Sequence, residues 1–203
     1  KIIGRGGVGM DNIDVDYARS KDIKVINTPA ASSASVAELV FAHLFGGVRF
    51  LYDSNRNMPL DGDSKFKELK KNYGGGRELR GKTLGIVGLG RIGQEVAKIG
   101  IGCGMKVIAS DKFMETTTIS VAFYDKQKLD FKIQTIPFEQ LLKESDFISV
   151  HVPAQKDYIF GKTEFNKMKD GAAIINAARG GVIDEVALIE AVENNKLSFA
   201  AID

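Results

Sequence analysis

The stretch Thr83-Leu84-Gly85-Ile86-Val87-Gly88-Leu89-Gly90-Arg91-Ile92-Gly93-Gln94-Glu95-Val96-Ala97 decides the fold of this chain. A short aliphatic run enters a turn with three glycines in six positions, and the apolar residues that follow have helical spacing. This order predicts a strand, a phosphate-binding turn and a helix. Gly88 can adopt backbone angles that a side chain forbids, Gly90 lets the backbone approach a pyrophosphate, and Gly93 lets helix and strand pack closely. Free amides at the helix start would attract the phosphates.

The acid after the next strand supports this interpretation. The run Met105–Ser110 has the composition of a strand and is followed directly by Asp111. A carboxylate at this spacing from Gly93 can accept hydrogen bonds from both ribose hydroxyls of an adenosine, and it would repel a 2′-phosphate. The sequence therefore favours NAD over NADP. The alternative is a glycine turn that only packs a strand on a helix, with Asp111 capping the segment that follows.

Composition limits the possible functions without choosing one. The chain has 203 residues, 28 basic and 26 acidic side chains, a net charge of +2 and 44% hydrophobic residues. Such a balance gives no electrostatic reason to expect nucleic acid or a membrane as a partner. The single cysteine, Cys103, cannot form an internal disulfide and suits a reducing compartment, so we expect a cytoplasmic protein. We expect no metal site.

Strands and helices alternate from residue 83 onward. Strands are predicted at Asp146–Val150, Ala172–Asn176 and Leu197–Ile202, with a helix before each of them. This alternation predicts an α/β fold with a doubly wound parallel sheet, a Rossmann-type domain covering residues 30–203. Two segments show no such pattern. Residues 57–82 are predicted to be a polar connection, and residues 113–132 an exposed loop with one helical turn.

The first 29 residues have a glycine cluster of their own, from Gly4 to Gly9. The strand after it ends in Asn27, where a dinucleotide site needs an acid, so this cluster fails the test that Asp111 passes. We interpret residues 1–29 as the last strand, turn and helix of a neighbouring domain, with Arg5 facing the cleft. Because the chain starts inside one strand and stops at the end of another, we expect it to be part of a longer protein.

Ligands bind at the carboxyl ends of parallel strands, so the residues there are the candidate site. Arg179 is the most informative of them, because a guanidinium at the nicotinamide end of the cofactor can bind a substrate carboxylate bidentately and polarise the adjacent carbonyl. The alternative for Arg179 is an ion pair with Asp184 or Glu185. His151 could act as an acid or base, but its position at a strand end before Val152-Pro153 favours a role in lining the cofactor.

Taken together, these motifs resemble the D-isomer-specific 2-hydroxyacid dehydrogenases. The resemblance covers nearly the whole chain, and the opening glycine cluster is similar to the D-3-phosphoglycerate dehydrogenase branch of that family. The segments that carry it are Gly4–Asp14, Gly88–Gly93, His151–Pro153 and Asn176–Glu185.

The resemblance implies a two-domain, usually dimeric enzyme whose NAD-binding domain is inserted into a smaller, flavodoxin-like substrate domain. The helix that begins near Val36 would form much of the homodimer contact. Arg179 would be catalytic, and the family's other catalytic residues, a glutamate and a histidine, would lie beyond residue 203. The substrate side would be lined by Arg5, Gly6 and Gly7. The implied NAD-binding residues are Val8, Gly88, Gly90, Arg91, Ile92, Gly93, Asp111, His151, Val152, Pro153, Ala177, Ala178, Arg179 and Asp203.

Three functions agree with this sequence. The leading expectation is NAD-dependent oxidation of D-3-phosphoglycerate to 3-phosphohydroxypyruvate, the first step of serine biosynthesis. A related alternative is reduction of another small 2-oxo acid, such as hydroxypyruvate or glyoxylate. The third is an NAD(H)-sensing transcriptional corepressor, since the same fold and arginine occur in such proteins.

Overall fold

The computed structural model describes all residues from 1 to 203, which form nine strands and seven helices. The strands are β1 (Ile2–Arg5), β2 (Lys24–Asn27), β3 (Thr83–Val87), β4 (Lys106–Ser110), β5 (Thr116–Ala122), β6 (Lys128–Gln134), β7 (Phe147–Val150), β8 (Ala172–Asn176) and β9 (Leu197–Ile202). The helices are α1 (Val15–Ser20), α2 (Ser33–Val48), α3 (Leu51–Tyr73), α4 (Arg91–Gly102), α5 (Phe138–Glu144), α6 (Lys162–Lys167) and α7 (Glu185–Glu193).

Five parallel strands form the central sheet, in the order β4-β3-β7-β8-β9. Every residue of β3, β7 and β8 is buried, as expected for strands covered on both faces. The chain runs from β3 to its neighbour β4 on one side, and later returns to β7 on the other side of β3. The predicted doubly wound parallel sheet is therefore confirmed, and its switch point lies beside β3.

Two apolar clusters cover the two faces of this sheet. Alternation along β8 shows the division, because Ile175 belongs to the cluster with α2 and α4, whereas Ile174 belongs to the cluster with α5, α6 and α7. In β7 the same alternation separates Phe147 from Ile148. Neither cluster contains a buried residue from the first 29 positions. The core of the molecule thus belongs to the later part of the chain.

Strands β1 and β2 form a separate two-stranded parallel sheet. Helix α1 connects them, and the Asp14 carboxylate caps this helix by accepting a hydrogen bond of 2.8 Å from the Tyr17 amide. Ala18 is the one buried residue of this segment. The assignment of residues 1–29 to a second domain stays a prediction.

Residues 57–82 are not simply the polar connection that the sequence predicts, since α3 continues through Pro59 and Gly62 to Tyr73. The helix kinks at Lys65, and the Asn57 side chain before the kink donates a hydrogen bond of 2.8 Å to the Tyr73 hydroxyl after it. Only Leu69 is buried along its length. No single helix has the length and apolar character to cross a bilayer; α2 and α3, bent by 52°, meet that test only as a pair.

The exposed loop predicted for residues 113–132 is instead an antiparallel hairpin of β5 and β6. Its inner face includes the buried Ile119 and Ile133, which belong to the same apolar cluster as α2 and α4. The chain then pairs with the edge of the central sheet, where the Ile136 amide donates to the Ala109 carbonyl at 2.8 Å. The hairpin therefore covers the β4 edge.

Candidate functional site

The glycine turn between β3 and α4 has the geometry that its three glycines suggest. Gly88 has a φ of +94°, and a Cβ there would lie 2.5 Å from the His151 carbonyl oxygen. A Cβ on Gly93 would clash with the Gly88 carbonyl oxygen and lie 3.1 Å from Ile86, so this glycine sets the helix–strand packing. A Cβ on Gly90 would meet no atom within 4 Å. Gly90 thus faces open space at an α4 N-terminus that has no side-chain cap.

This open helix N-terminus fits a dinucleotide. Helix ends leave their first backbone amides without intrahelical partners, and those amides attract an anion such as a pyrophosphate. Arg91 is exposed at the first helical position, and Ile92 beside it is half-buried. The residues present therefore fit the phosphate and apolar parts of an NAD molecule.

Asp111 accepts three backbone hydrogen bonds. Its Oδ2 accepts from the Leu89 amide at 2.7 Å, and its Oδ1 accepts from the Phe113 and Met114 amides at 2.8 and 3.1 Å. The carboxylate thus stabilises the glycine turn and caps the next segment, as the alternative interpretation expects. A carboxylate has about four lone-pair positions, so capacity remains for a ribose hydroxyl.

His151 is enclosed beside the end of β7. Its Nε2 lies 2.7 Å from the Ser149 hydroxyl, and its Nδ1 is buried without a hydrogen-bond partner. Burial lowers the pKa of His151 to about 4, so the ring is neutral near pH 7. A general acid–base group works best with a pKa near the working pH, so the lining role suits this histidine better.

Asn176 at the end of β8 shapes the loop that presents Arg179. Its amide donates to the Arg179 carbonyl, and its side-chain oxygen accepts from the Ala178 amide, both at 3.0 Å. Its own carbonyl accepts at 3.0 Å from the amide of Asp203, which follows β9. Asn176 is 4% exposed, so these bonds are well protected from water.

Arg179 forms an ion pair, but with neither of the two expected partners. Its Nε donates to the Asp11 carboxylate at 3.1 Å, and its Nη1 donates to the Ala178 carbonyl at 2.7 Å. Asp184 instead caps α7 by accepting from the Val186 and Ala187 amides at 3.1 and 3.2 Å. The alternative for Arg179, an ion pair, is thus present in the structure, but its partner is Asp11, because Asp184 is occupied as a helix cap.

The glycine cluster after β1 is anchored to the residues after β2. The Gly7 amide donates to the Thr28 hydroxyl and the Asn27 side chain to the Val8 carbonyl, both at 2.8 Å. Arg5 folds over the loop and donates to the carbonyls of Gly6 and Gly9 at 3.0 and 3.3 Å. The loop thus has a defined shape with an arginine on its surface.

A cleft of about 900 Å³ lies between this loop and the strand ends of the central sheet. Gly6, Gly7, Gly88, Gly93, Asp111 and Asp203 do not line it. The predicted site residues that line the cleft are Arg5, Val8, Gly90, Arg91, Ile92, His151, Val152, Pro153, Ala177, Ala178 and Arg179.

The sequence interpretation missed two residues that meet Arg179. Gly9 and Asp11 both line the cleft, and a Cβ on Gly9 would clash with Arg179 Nη2. The sequence does indicate that these two residues matter, since both belong to the Gly4–Asp14 segment that carries the resemblance. Their partner is 168 positions away, however, and no local pattern indicates such a contact.

A parallel sheet with an open glycine turn at its switch point defines a dinucleotide-binding protein. Residues 41–203 match the family model described as "D-isomer specific 2-hydroxyacid dehydrogenase, NAD binding domain". The chain therefore belongs to the D-isomer-specific 2-hydroxyacid dehydrogenase family, and residues 41–203 are its NAD-binding domain.

Individual relatives agree with this assignment. The chain is 43% identical over 205 residues to a hydroxypyruvate reductase of Thermotoga maritima, covering 100% of this chain and 61% of that protein. It is 42% identical over 206 residues to a D-3-phosphoglycerate dehydrogenase of Archaeoglobus fulgidus, covering 100% of this chain and 36% of that protein. The chain thus spans only part of the length of these relatives.

A solved structure gives the same result. The chain is similar to a D-lactate dehydrogenase from Aquifex aeolicus in complex with NAD and lactic acid, with a TM-score of 0.75 and 36% identity. The similarity covers 100% of this chain and 57% of that one. The expected family and the expected cofactor, NAD, are therefore confirmed.

Proposed function

We propose that this chain is the cofactor-binding part of an enzyme that oxidises D-3-phosphoglycerate with NAD to 3-phosphohydroxypyruvate, the first step of serine biosynthesis. The observation that carries the proposal is the cleft, which is lined both by the open α4 N-terminus and by two arginines, Arg5 and Arg179. The helix N-terminus suits the pyrophosphate of a dinucleotide, and the guanidinium groups suit an anionic substrate.

Arg179 has the central role in this proposal. Its Nη2 has no hydrogen-bond partner in the protein, so it is free to bind a substrate carboxylate and to polarise the adjacent carbon–oxygen bond. Asn176 keeps the loop backbone in place while this happens. When bound, NAD supplies the hydride acceptor for the reaction.

The proton of the substrate hydroxyl needs a separate base. The chain contains two histidines, His43 and His151, and the first lies on α2 outside the cleft lining. The second has a pKa of about 4 and its Nε2 engaged by Ser149. We therefore propose that the acid–base group comes from residues outside this chain, in a longer parent protein.

Arg5 supports phosphoglycerate as the substrate. Its guanidinium lines the same cleft as Arg179, and a substrate with a carboxylate at one end and a phosphate at the other would pair with both. The Archaeoglobus fulgidus relative is named for this activity.

Reduction of hydroxypyruvate or glyoxylate is the second candidate. The observation in its favour is the 43% identity to the Thermotoga maritima hydroxypyruvate reductase. Such a substrate would use Arg179 in the same way and would not need Arg5 for a phosphate.

We also propose that the protein is a homodimer through α2 and α3. Phe45, Leu51, Tyr52 and Leu60 are 44%, 54%, 69% and 81% exposed, and a shallow groove on α3 lies beside Leu51 and Tyr52. Apolar side chains at this density on neighbouring helices are typical of a surface that is covered in an assembly. A second copy of the same helices would cover them.

Steady-state assays of the full-length protein test the proposed substrate. Oxidation of 3-phosphoglycerate is followed by the absorbance of NADH while the ketone product is trapped, and reduction of 3-phosphohydroxypyruvate, hydroxypyruvate and glyoxylate is followed by its loss. In the reduction direction, where all three 2-oxo acids can be compared, we expect 3-phosphohydroxypyruvate to have the highest kcat/KM. NADH consumption with hydroxypyruvate or glyoxylate, and no signal with 3-phosphoglycerate, would instead establish the second candidate.

A further inference from the structure

The ion pair between Asp11 and Arg179 joins two distant parts of the chain. Asp11 lies in the loop after β1, whereas Arg179 follows β8 on the central sheet, 168 positions later. The contact crosses the cleft, since both residues line it. Apart from this pair, Arg179 donates only to the neighbouring Ala178 carbonyl.

Stability alone does not explain this contact. The side chains of Arg179 and Asp11 are 38% and 67% exposed, and exposed ion pairs contribute little to the free energy of unfolding. The ion pair has a larger effect on the orientation of the Arg179 guanidinium. Asp11 engages Nε and the Ala178 carbonyl engages Nη1, so two contacts fix the plane of the guanidinium. Nη2 is left without a hydrogen-bond partner in the protein.

Gly9 is the second observation. A Cβ at this position would clash with Arg179 Nη2 and lie 2.6 Å from Asp11 Oδ2. No positive φ requires glycine at this position. Glycine is therefore needed at this position because the Arg179 guanidinium, beside Asp11, occupies the space that a side chain would take.

We propose that Asp11 is a positioning residue that orients the Arg179 guanidinium for the substrate carboxylate, and that Gly9 provides the space for this orientation. The inference rests on the proposed role of Arg179 in substrate binding. Asp11 acts through Arg179 and does not itself contact the substrate.

Kinetics of Asp11→Ala and Asp11→Asn in the full-length protein test this inference. The substrate is whichever of 3-phosphohydroxypyruvate, hydroxypyruvate and glyoxylate the wild type reduces fastest with NADH. We expect Asp11→Ala to raise the KM for the 2-oxo acid about tenfold, because Arg179 loses one of its two orienting bonds, with the KM for NADH unchanged. Asp11→Asn keeps an oxygen that accepts from Nε, so it should recover most of the loss.

Two matched controls separate orientation from general effects of the substitutions. Asp16→Ala removes an equal charge from the same segment, at an exposed residue whose only ionic contact is with Arg19 at 3.7 Å. It should leave both KM values unchanged. Gly9→Ala should raise the KM for the 2-oxo acid as Asp11→Ala does. Gly4→Ala should not, because a Cβ on Gly4 meets nothing within 4 Å.

Two outcomes would overturn the inference. One is a lower melting temperature for Asp11→Ala with an unchanged KM for the 2-oxo acid, which would make the pair only a tie between segments. The other is an equal KM increase for Asp11→Ala and Asp16→Ala. If the wild type reduces none of the three acids, the proposed function is wrong. The Arg179 Nε–H signal in a ¹⁵N NMR spectrum then decides the orientation, since loss of Asp11 should speed its exchange with water.

Discussion

The three glycines of the turn at the start of α4 have separable roles at the scale of single residues. Gly88 and Gly93 are required by the protein itself, because a Cβ on either would press against backbone atoms. Gly90 is required by nothing in the protein within 4 Å, so the space in front of it is available to a ligand. Substitutions should therefore divide into those that damage the fold and those that damage only cofactor binding.

Gly93→Ala should lower the free energy of unfolding by about 1–3 kcal/mol, as overpacking usually does. Gly90→Asp should leave it unchanged or higher, since aspartate is a favoured N-cap and suits the positive end of α4. The same carboxylate would repel the pyrophosphate, so the affinity for NADH should fall at least about tenfold. Urea unfolding and NADH fluorescence titration measure the two effects. Wild-type NADH affinity in Gly90→Asp would contradict this account of the turn.

His151 gives the protein a pH dependence of stability. Burial holds its pKa in the folded state at about 4, below the ordinary value of 6.5, so the unfolded state binds the extra proton between these pH values. The free energy of unfolding should therefore decrease as the pH falls from 6.5 to 4, by about 3 kcal/mol in total from this residue. Urea unfolding at several pH values checks this. His151→Gln should lose that part of the slope, and an equal slope in both proteins would contradict it.

At the scale of elements, the sequence of β6 has a strand pattern, although composition predicts a loop for residues 113–132. Leu129, Phe131 and Ile133 alternate with polar residues along β6, which is the pattern of a strand with one buried face. The turn between β5 and β6 lacks the usual glycine signal. Lys126 instead adopts a φ of +69°, and the Asp125 carboxylate accepts from the Gln127 amide at 3.1 Å. A turn built from these residues cannot be distinguished from a loop by composition.

In helix α3, by contrast, the local sequence pattern predicts the wrong structure. Pro59 and Gly62 predict a loop, because proline and glycine have low helix propensity. Tertiary contacts override it: the Phe50 and Tyr73 rings lie 6.1 Å apart, and Asn57 bonds the Tyr73 hydroxyl. No local pattern in the sequence indicates that these residues are in contact. By contrast, the strands of the central sheet were predicted well because burial on both faces leaves continuous apolar runs.

The exposed apolar residues of α3 test the proposed dimer. The double variant Leu51→Glu/Leu60→Glu should dissociate it, because both side chains are more than half exposed and a paired copy would bury the new charges without partners. Light scattering after gel filtration should show the mass halved, with the circular dichroism spectrum unchanged. Ile189→Glu, on α7 and 57% exposed, is the matched control and should leave the mass as it is. A monomeric wild type, or a dimeric double variant, would contradict the proposal.

At the scale of the whole molecule, residues 1–29 and residues 30–203 contribute different groups to the site. The glycine turn, Asp111, the β7 end and the Asn176 loop all belong to residues 30–203, and so do both apolar clusters. Residues 1–29 contribute Arg5, Val8 and the Asp11 contact to the cleft. Cofactor binding and substrate binding should therefore be separable by cutting the chain between the two parts.

Residues 30–203 expressed alone should fold and bind NADH with a dissociation constant within about threefold of that of the whole chain, since Val8 is the only expected cofactor-binding residue among the first 29. Removal of residues 1–29 uncovers little core, because Ala18 is the only buried residue among them. Cooperative urea unfolding and NADH fluorescence are the measurements. Gly90→Asp in the same fragment should lower the affinity for NADH at least about tenfold, as in the whole chain, which excludes unspecific binding. An aggregated fragment, or one that folds but no longer binds NADH, would mean that the first 29 residues are part of the cofactor domain.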